Sequence, residues 1–302
     1  MARRNAILLG IIIIIYCSIT QYIYGSASFV YNFRIAETTK KILEEEKHIF
    51  EATITPIGQF RKKYNGDIRN FGGAMGTGIY SYMHHYFRVD FAVARVVDKY
   101  QGVHFARTQF DDILFYGGYT HKVHQQVKMT FSGLFGIPTH QDTSLSFPQF
   151  GIGHVGTGLQ VDSSIMVSSD NRKHSLQPSI RAIHFFQRKV KIEGEPGCFE
   201  FTAGNLIDLF IAYHQNRPEA VFETGYDLGI WCGAQIKPFY DDVVNKTNYI
   251  RHSFYGSYKW KFSIREHQSS FLTALSYGFE SGPKKYGYKS IFILWGAWQF
   301  RF

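Results

Sequence analysis

The chain has 302 residues, of which 45% are hydrophobic and 17% aromatic (28 Phe and 20 Tyr), while only 19% are charged. That balance excludes a disordered or collagen-like chain, and a mean hydropathy of −0.18 with one long apolar run excludes a bundle of membrane helices. The net charge of +9 is modest for this length and no basic run exceeds Arg61-Lys62-Lys63, so nucleic acid is not an expected partner.

In chain order, Ala2-Arg3-Arg4 precedes an apolar stretch from Ala6 to Cys17, with five consecutive isoleucines, and then the small residues Gly25-Ser26-Ala27. A charged start, a short apolar run and a small-residue end have the form of an export signal, with cleavage expected near Ala27. The run is too short for a comfortable membrane span. Residues 28–49 are expected to form an N-terminal periplasmic or plug segment. Within it, AETTKKILEEEKHIF, which runs on to Phe50, joins good helix formers without Gly or Pro and predicts a short helix.

From about Phe50 onward the pattern changes to period two. Along 250–264, His252, Phe254, Tyr258, Trp260 and Phe262 share one face, and Arg251, Ser253, Ser257, Lys259 and Lys261 the other. The same split separates Phe87, Val89, Phe91 and Val93 from Arg88 and Asp90, and Met129, Phe131 and Phe135 from Lys128, Thr130 and Ser132. It recurs with Ile207, Leu209 and Ile211 against Glu200 and Asp208, with Phe222, Tyr226, Leu228 and Ile230 against Glu223 and Asp227, and with Phe271, Leu275 and Tyr277 against Ser270 and Ser276. Two segments, 113–121 and 180–190, are ambiguous in phase.

Many of these runs are longer than the strands of a soluble sandwich, and their apolar side is crowded with rings. Such lengths suit tilted strands that cross a membrane. Turn-bounded segments fall at about 50–61, 71–83, 86–97, 108–121, 124–136, 149–166, 178–190, 198–212, 219–234, 248–263, 269–281 and 287–302. The expected fold is therefore all-β: a transmembrane antiparallel up-and-down β-barrel of about 12 strands (10–14) over residues 50–302. Short turns are expected near His84, Lys122, Asn216 and Glu266 on the periplasmic side, and outward loops at 137–148 and 235–247. The connection at 167–177 is long for the periplasmic side.

The last segment places Phe292, Leu294, Trp298, Phe300 and Phe302 on one face. It resembles the closing strand of bacterial outer-membrane β-barrel proteins. The resemblance implies an outer-membrane location and recognition of Trp298, Phe300 and Phe302 by the barrel assembly machinery. A shorter stretch, Leu134-Phe135-Gly136-Ile137-Pro138-Thr139 followed by Phe150-Gly151-Ile152-Gly153, is similar to transport-type channels of the phenol-degradation outer-membrane family. It covers about thirty residues, and no substrate is carried over from it.

Chemical motifs are few. Gly151-Ile152-Gly153-His154-Val155-Gly156 has dinucleotide-type glycine spacing but no helix follows it, so it reads as a glycine-rich strand. His84-His85 and His121/His124 lie at turns without a second ligand cluster, and no metal is assigned. Neither GxSxG nor HExxH occurs, so no catalytic residue and no cofactor is assigned. Cys198 and Cys232 fall on opposite faces by phase, which argues against a disulfide between them.

The charged face defines the candidate lumen lining: Arg88, Asp90, Lys128, Glu200, Asp208, Glu223, Asp227, Arg251, Lys259 and Lys261. Ionisable groups at membrane depth are tolerable only facing water or each other, so this set either lines a narrow aqueous pore or pairs into a network that fills it. The expected function is a narrow channel for small solutes of unidentified chemistry, with outer-membrane lipid around it. The alternatives are a closed structural or surface-interaction barrel and, less favoured, a barrel enzyme.

Overall fold

A computed structural model describes residues 48–63, 68–100, 103–139, 154–169, 172–190, 199–202, 204–237, 247–264, 267–281 and 288–302. Their strands are β1 (Ile49–Lys63), β2 (Ile68–Tyr82), β3 (His85–Tyr100), β4 (Val103–Phe110), β5 (Ile113–His124), β6 (Val127–Ile137), β7 (Gly156–Ser169) and β8 (Arg172–Phe185). There follow β9 (Arg188–Val190), β10 (Phe199–Thr202), β11 (Asn205–Asn216), β12 (Ala220–Lys237), β13 (Thr247–Ile264), β14 (His267–Ser281) and β15 (Tyr288–Arg301). The described residues contain no helix. The expected export signal, and the helix except for its last residues, lie outside them.

Three staves of the barrel are interrupted strands. β4 pairs with the far half of β3 (Val93↔Phe110) and β5 with its near half (Asp90↔Leu114), so Asp111-Asp112 is a bulge within one stave. β8 runs on into β9, and β10 into β11 through Gly204, whose φ of 83° suits glycine. The result is a closed ring of twelve antiparallel staves. β1 meets β15 from Glu51↔Arg301 to Lys63↔Tyr288, and the Phe302 amide donates to the Phe50 carbonyl at 2.9 Å. Closure joins the first and last staves edge to edge, as backbone in hydrocarbon requires.

The end of the barrel that carries Phe50 and Phe302 has short connections at 83–84, 125–126, 170–171, 217–219 and 265–266. The far end carries the longer 138–155 and 238–246. One expectation is corrected here: residues 167–177 are no long loop, because β7 continues to Ser169 and β8 begins at Arg172. Arg172-Lys-His-Ser-Leu-Gln-Pro offers little apolar alternation, and Pro178 inside it reads as a breaker although it sits in the sheet opposite Ile211.

Alternation sorts the side chains as the period-two pattern requires. The outward face is mainly apolar, with Leu159 70% and Phe91 54% exposed, whereas the inward Asp90, Asp208 and Thr55 are at 0%. The two segments of ambiguous phase are resolved by an apolar cluster inside the barrel. Leu114 and Tyr116 from β5, and Ile183 and Phe185 from β8, point inward to join Ile57, Met75, Leu134 and Leu206. Trp231, Ile293 and Trp295 pack against that cluster, with the Phe185 and Trp231 rings stacked at 5.6 Å. These stretches carry apolar residues on both faces, which hides their phase in the sequence.

Candidate functional site in the barrel lumen

The inward polar residues assemble by register. Arg88 and Asp90, two apart on β3, must face the same side. The Arg88 guanidinium donates to both carboxylate oxygens, Nε to Oδ1 at 2.9 Å and Nη2 to Oδ2 at 2.7 Å. Thr77 Oγ1 on β2 donates to Asp90 Oδ1 at 2.8 Å, and the Arg88 guanidinium lies 4.9 Å from the centroid of the Tyr116 ring. A two-toothed pair with a further donor is a geometry that holds buried charge.

A second network spans β8 to β13. Asp208 on β11 lies opposite Arg181 on one side and Gly229 on the other, and Gly229 lies opposite Arg251. Arg181 donates to Asp208 Oδ2 through Nε at 2.9 Å and also through Nη2. Gly229 explains how Arg251 reaches across a strand: a Cβ there would lie 3.1 Å from both Arg251 Nη2 and Asp208 Oδ1. Arg251 Nη2 thus comes within 3.6 Å of Asp208 Oδ1 and 2.9 Å of Asp227 Oδ2. Two arginines and two aspartates balance in charge, which offsets part of the cost of taking each from water.

Nearer the terminal end, His214 Nδ1 lies 3.2 Å from Glu223 Oε2, and the Tyr255 hydroxyl donates to the same carboxylate. Here too a glycine makes room, since a Cβ on Gly225 would sit 2.4 Å from Tyr255 Cε1. Ser132 and Tyr86 join through their hydroxyls at 2.6 Å, while Gln299 bridges Ser270 (3.1 Å) and Glu51 (3.1 Å) beside the β1–β15 closure.

Of the ten lumen candidates, the structure brings together Arg88 with Asp90, and Asp208 with Asp227 and Arg251. Glu223 belongs to the separate cluster with His214 and Tyr255. Lys128 and Lys259 lie toward the terminal end of the barrel, on inward positions opposite Ser164 and Val221 respectively. Lys261 sits at the terminal rim, where Nζ donates to the Arg217 carbonyl at 3.0 Å. Glu200 falls on β10 opposite Lys237, and its side chain lies outside the described residues.

The lumen candidates left out Arg181 and His214, and also Tyr255, although alternation along 250–264 already puts Tyr255 on the face of Arg251 and Ser253. Arg181 lies in a segment of ambiguous phase, but aligning β8 and β11 around their connection would have set it opposite Asp208.

Trp298, Phe300 and Phe302 form an outward stack, with centroids 5.6 Å apart for the first pair and 6.5 Å for the second. Cys232 is a free thiol at an outward position opposite Asn205. Cys198, Gly151-Ile152-Gly153 and the sequence 140–150 lie outside the described residues.

No protein-family description and no curated protein matches the amino-acid sequence. Among solved structures, the chain is similar to an outer-membrane channel from Pseudomonas putida F1, with a TM-score of 0.63 and 8% identity over 87% of this chain and 98% of that one. The translocator domain of the autotransporter NalP from Neisseria meningitidis gives a TM-score of 0.48 at 8% identity over 86% of this chain and 90% of that one. The fold is that of a bacterial outer-membrane β-barrel.

Proposed function

We propose that the chain is exported, cleaved near Ala27 and inserted in the bacterial outer membrane as a narrow channel for small solutes. Selectivity would be set by Arg88–Asp90 and by the Arg181, Asp208, Arg251 and Asp227 network. The observation that carries this reading is the division of the closed ring: a mainly apolar face outside, and paired charges of both signs inside beside the apolar cluster. Hydrocarbon favours the first surface, and only water or opposite charge accommodates the second. The channel from Pseudomonas putida F1, which shares the fold, supports the same reading. By resemblance of the last strand, Trp298, Phe300 and Phe302 would be read by the barrel assembly machinery.

Planar-bilayer recording of the refolded full chain tests the proposal. Small conductance steps are expected, with ion selectivity that changes when Asp90 or Asp227 is neutralised. A well-folded barrel without conductance and without small-solute uptake would reject it. That result would favour a second reading, a barrel closed by its own interior, which the full burial of Arg181, Asp208 and Asp90 supports. Function would then reside in the connections at the far end.

A further inference from the structure

Near the middle of β7, β8, β11 and β12, the outward surface bears a groove of about 490 Å³. Ile180, Leu209 and Leu228 form one cross-strand row along it, and Ser163, Pro178 and Tyr226 belong to the next. The groove exists because Ser163 and Pro178 are short where their neighbours are tall. Pro178 also has no amide hydrogen to give. The β7–β8 ladder stops at Asp162↔Ser179 and resumes in the same register at Ile165↔Leu176.

Tyr226 lines the groove from β12, and its hydroxyl is hydrogen-bonded to His252 on the neighbouring β13, outside the lining. The Tyr226 hydroxyl lies 2.7 Å from His252 Nδ1, and the His252 ring stacks on Phe279 at 4.8 Å. Both residues occupy outward positions, Tyr226 within β12 and His252 opposite Leu228 on β12 and Phe279 on β14. A polar pair on an outward face is costly where it meets hydrocarbon, and such pairs commonly mark a function. Each group satisfies the other only in part, because the imidazole has a second ring nitrogen and the phenol oxygen a further lone pair. A bilayer lipid fills an apolar groove with methylenes, but its own polar groups stay at the interface. A small free molecule dissolved in the hydrocarbon reaches both features at once.

We infer that this groove binds a small amphipathic molecule from within the membrane. Its apolar body lies along Ile180, Leu209 and Leu228, and a hydroxyl bonds to the Tyr226–His252 pair. A volume of this size falls in the range of small-molecule sites. The inference rests on the outward face meeting lipid, and it is independent of whether the lumen conducts.

The test is photolabelling of the full chain in lipid nanodiscs with azioctanol, a photoactivatable octanol, followed by mapping of the adducts. Labelling at Ile180, Leu209 and Tyr226 is expected to exceed that at the outward Phe91 and Leu275 by about tenfold, and octanol is expected to displace it where octane at equal membrane concentration does not. Tyr226→Phe should lower groove labelling by about fivefold, the worth of one ordinary hydrogen bond. Leu209→Trp should abolish it by filling the space. Even labelling along all outward strands, equal displacement by octane, or an unchanged Tyr226→Phe would each overturn the inference. A chain that stays soluble without detergent or lipid would instead overturn the membrane reading beneath it.

Discussion

Asp208→Ala is the sharpest perturbation of the lumen. The carboxylate takes two donors from Arg181, one at 2.9 Å, and lies 3.6 Å from Arg251, with Asp208 and Arg181 both about 1% exposed in their side chains. Deleting it leaves buried positive charge opposite a methyl group, and the expected cost is about 3–5 kcal/mol. The control is Arg301→Ala. Arg301 Nε lies 3.9 Å from Glu51 Oε1 and its side chain is 26% exposed, so its loss should cost less than about 1 kcal/mol. Reversible urea unfolding in detergent micelles, with the folded fraction read by heat-modifiable migration, measures both. A double-mutant cycle of Arg181→Ala with Asp208→Ala should give a coupling of about 1–3 kcal/mol. If Asp208→Ala costs no more than Arg301→Ala, the network is not what holds that wall together.

Other outcomes follow from the same geometry. Gly225→Val places its Cβ 2.4 Å from Tyr255 Cε1 and 2.8 Å from the Ile211 carbonyl, and should cost about 1–3 kcal/mol by displacing the ring from Glu223. Gly78→Ala, with nothing within 4 Å of the added carbon, should stay within about 0.5 kcal/mol of the parent in the same urea assay. Asp90→Asn removes a negative charge beside Arg88, so the reversal potential in a salt gradient should move toward anion selectivity. Deleting Phe302 should lower the yield of folded barrel in cells, judged by heat-modifiable migration, while refolding in detergent is spared.

The staves were legible because lipid outside and polar groups inside impose opposite demands on alternate residues. Phe87 to Val93 on β3 and Phe254 to Phe262 on β13 display this plainly. The pattern fails where the interior is itself apolar, at Leu114, Tyr116, Ile183 and Phe185, because no contrast remains between the faces. It fails again at the start of β8, where Pro178 and a polar run hide a strand whose pairing comes from its neighbours. The Asp111-Asp112 bulge shifts phase between β4 and β5, which no fixed period detects. Alternation alone puts Arg88 with Asp90, and Asp208, Asp227 and Arg251 each on the charged side of its strand, but their partners depend on register between staves. Arg181 with Asp208, and Arg251 reaching over Gly229, became readable only when the strands were aligned.

An accessibility scan of spin labels along β13 tests the central claim most directly. Labels at Phe254, Tyr258 and Phe262 should collide freely with oxygen, which concentrates in lipid, and hardly at all with a water-soluble nickel reagent. Labels at Ser253 and Ser257 should show the opposite preference or resist both, giving a period of two along the strand. A flat profile, or nickel access at Phe254 and Tyr258 equal to that of an exposed loop, would contradict a barrel whose rings face the membrane.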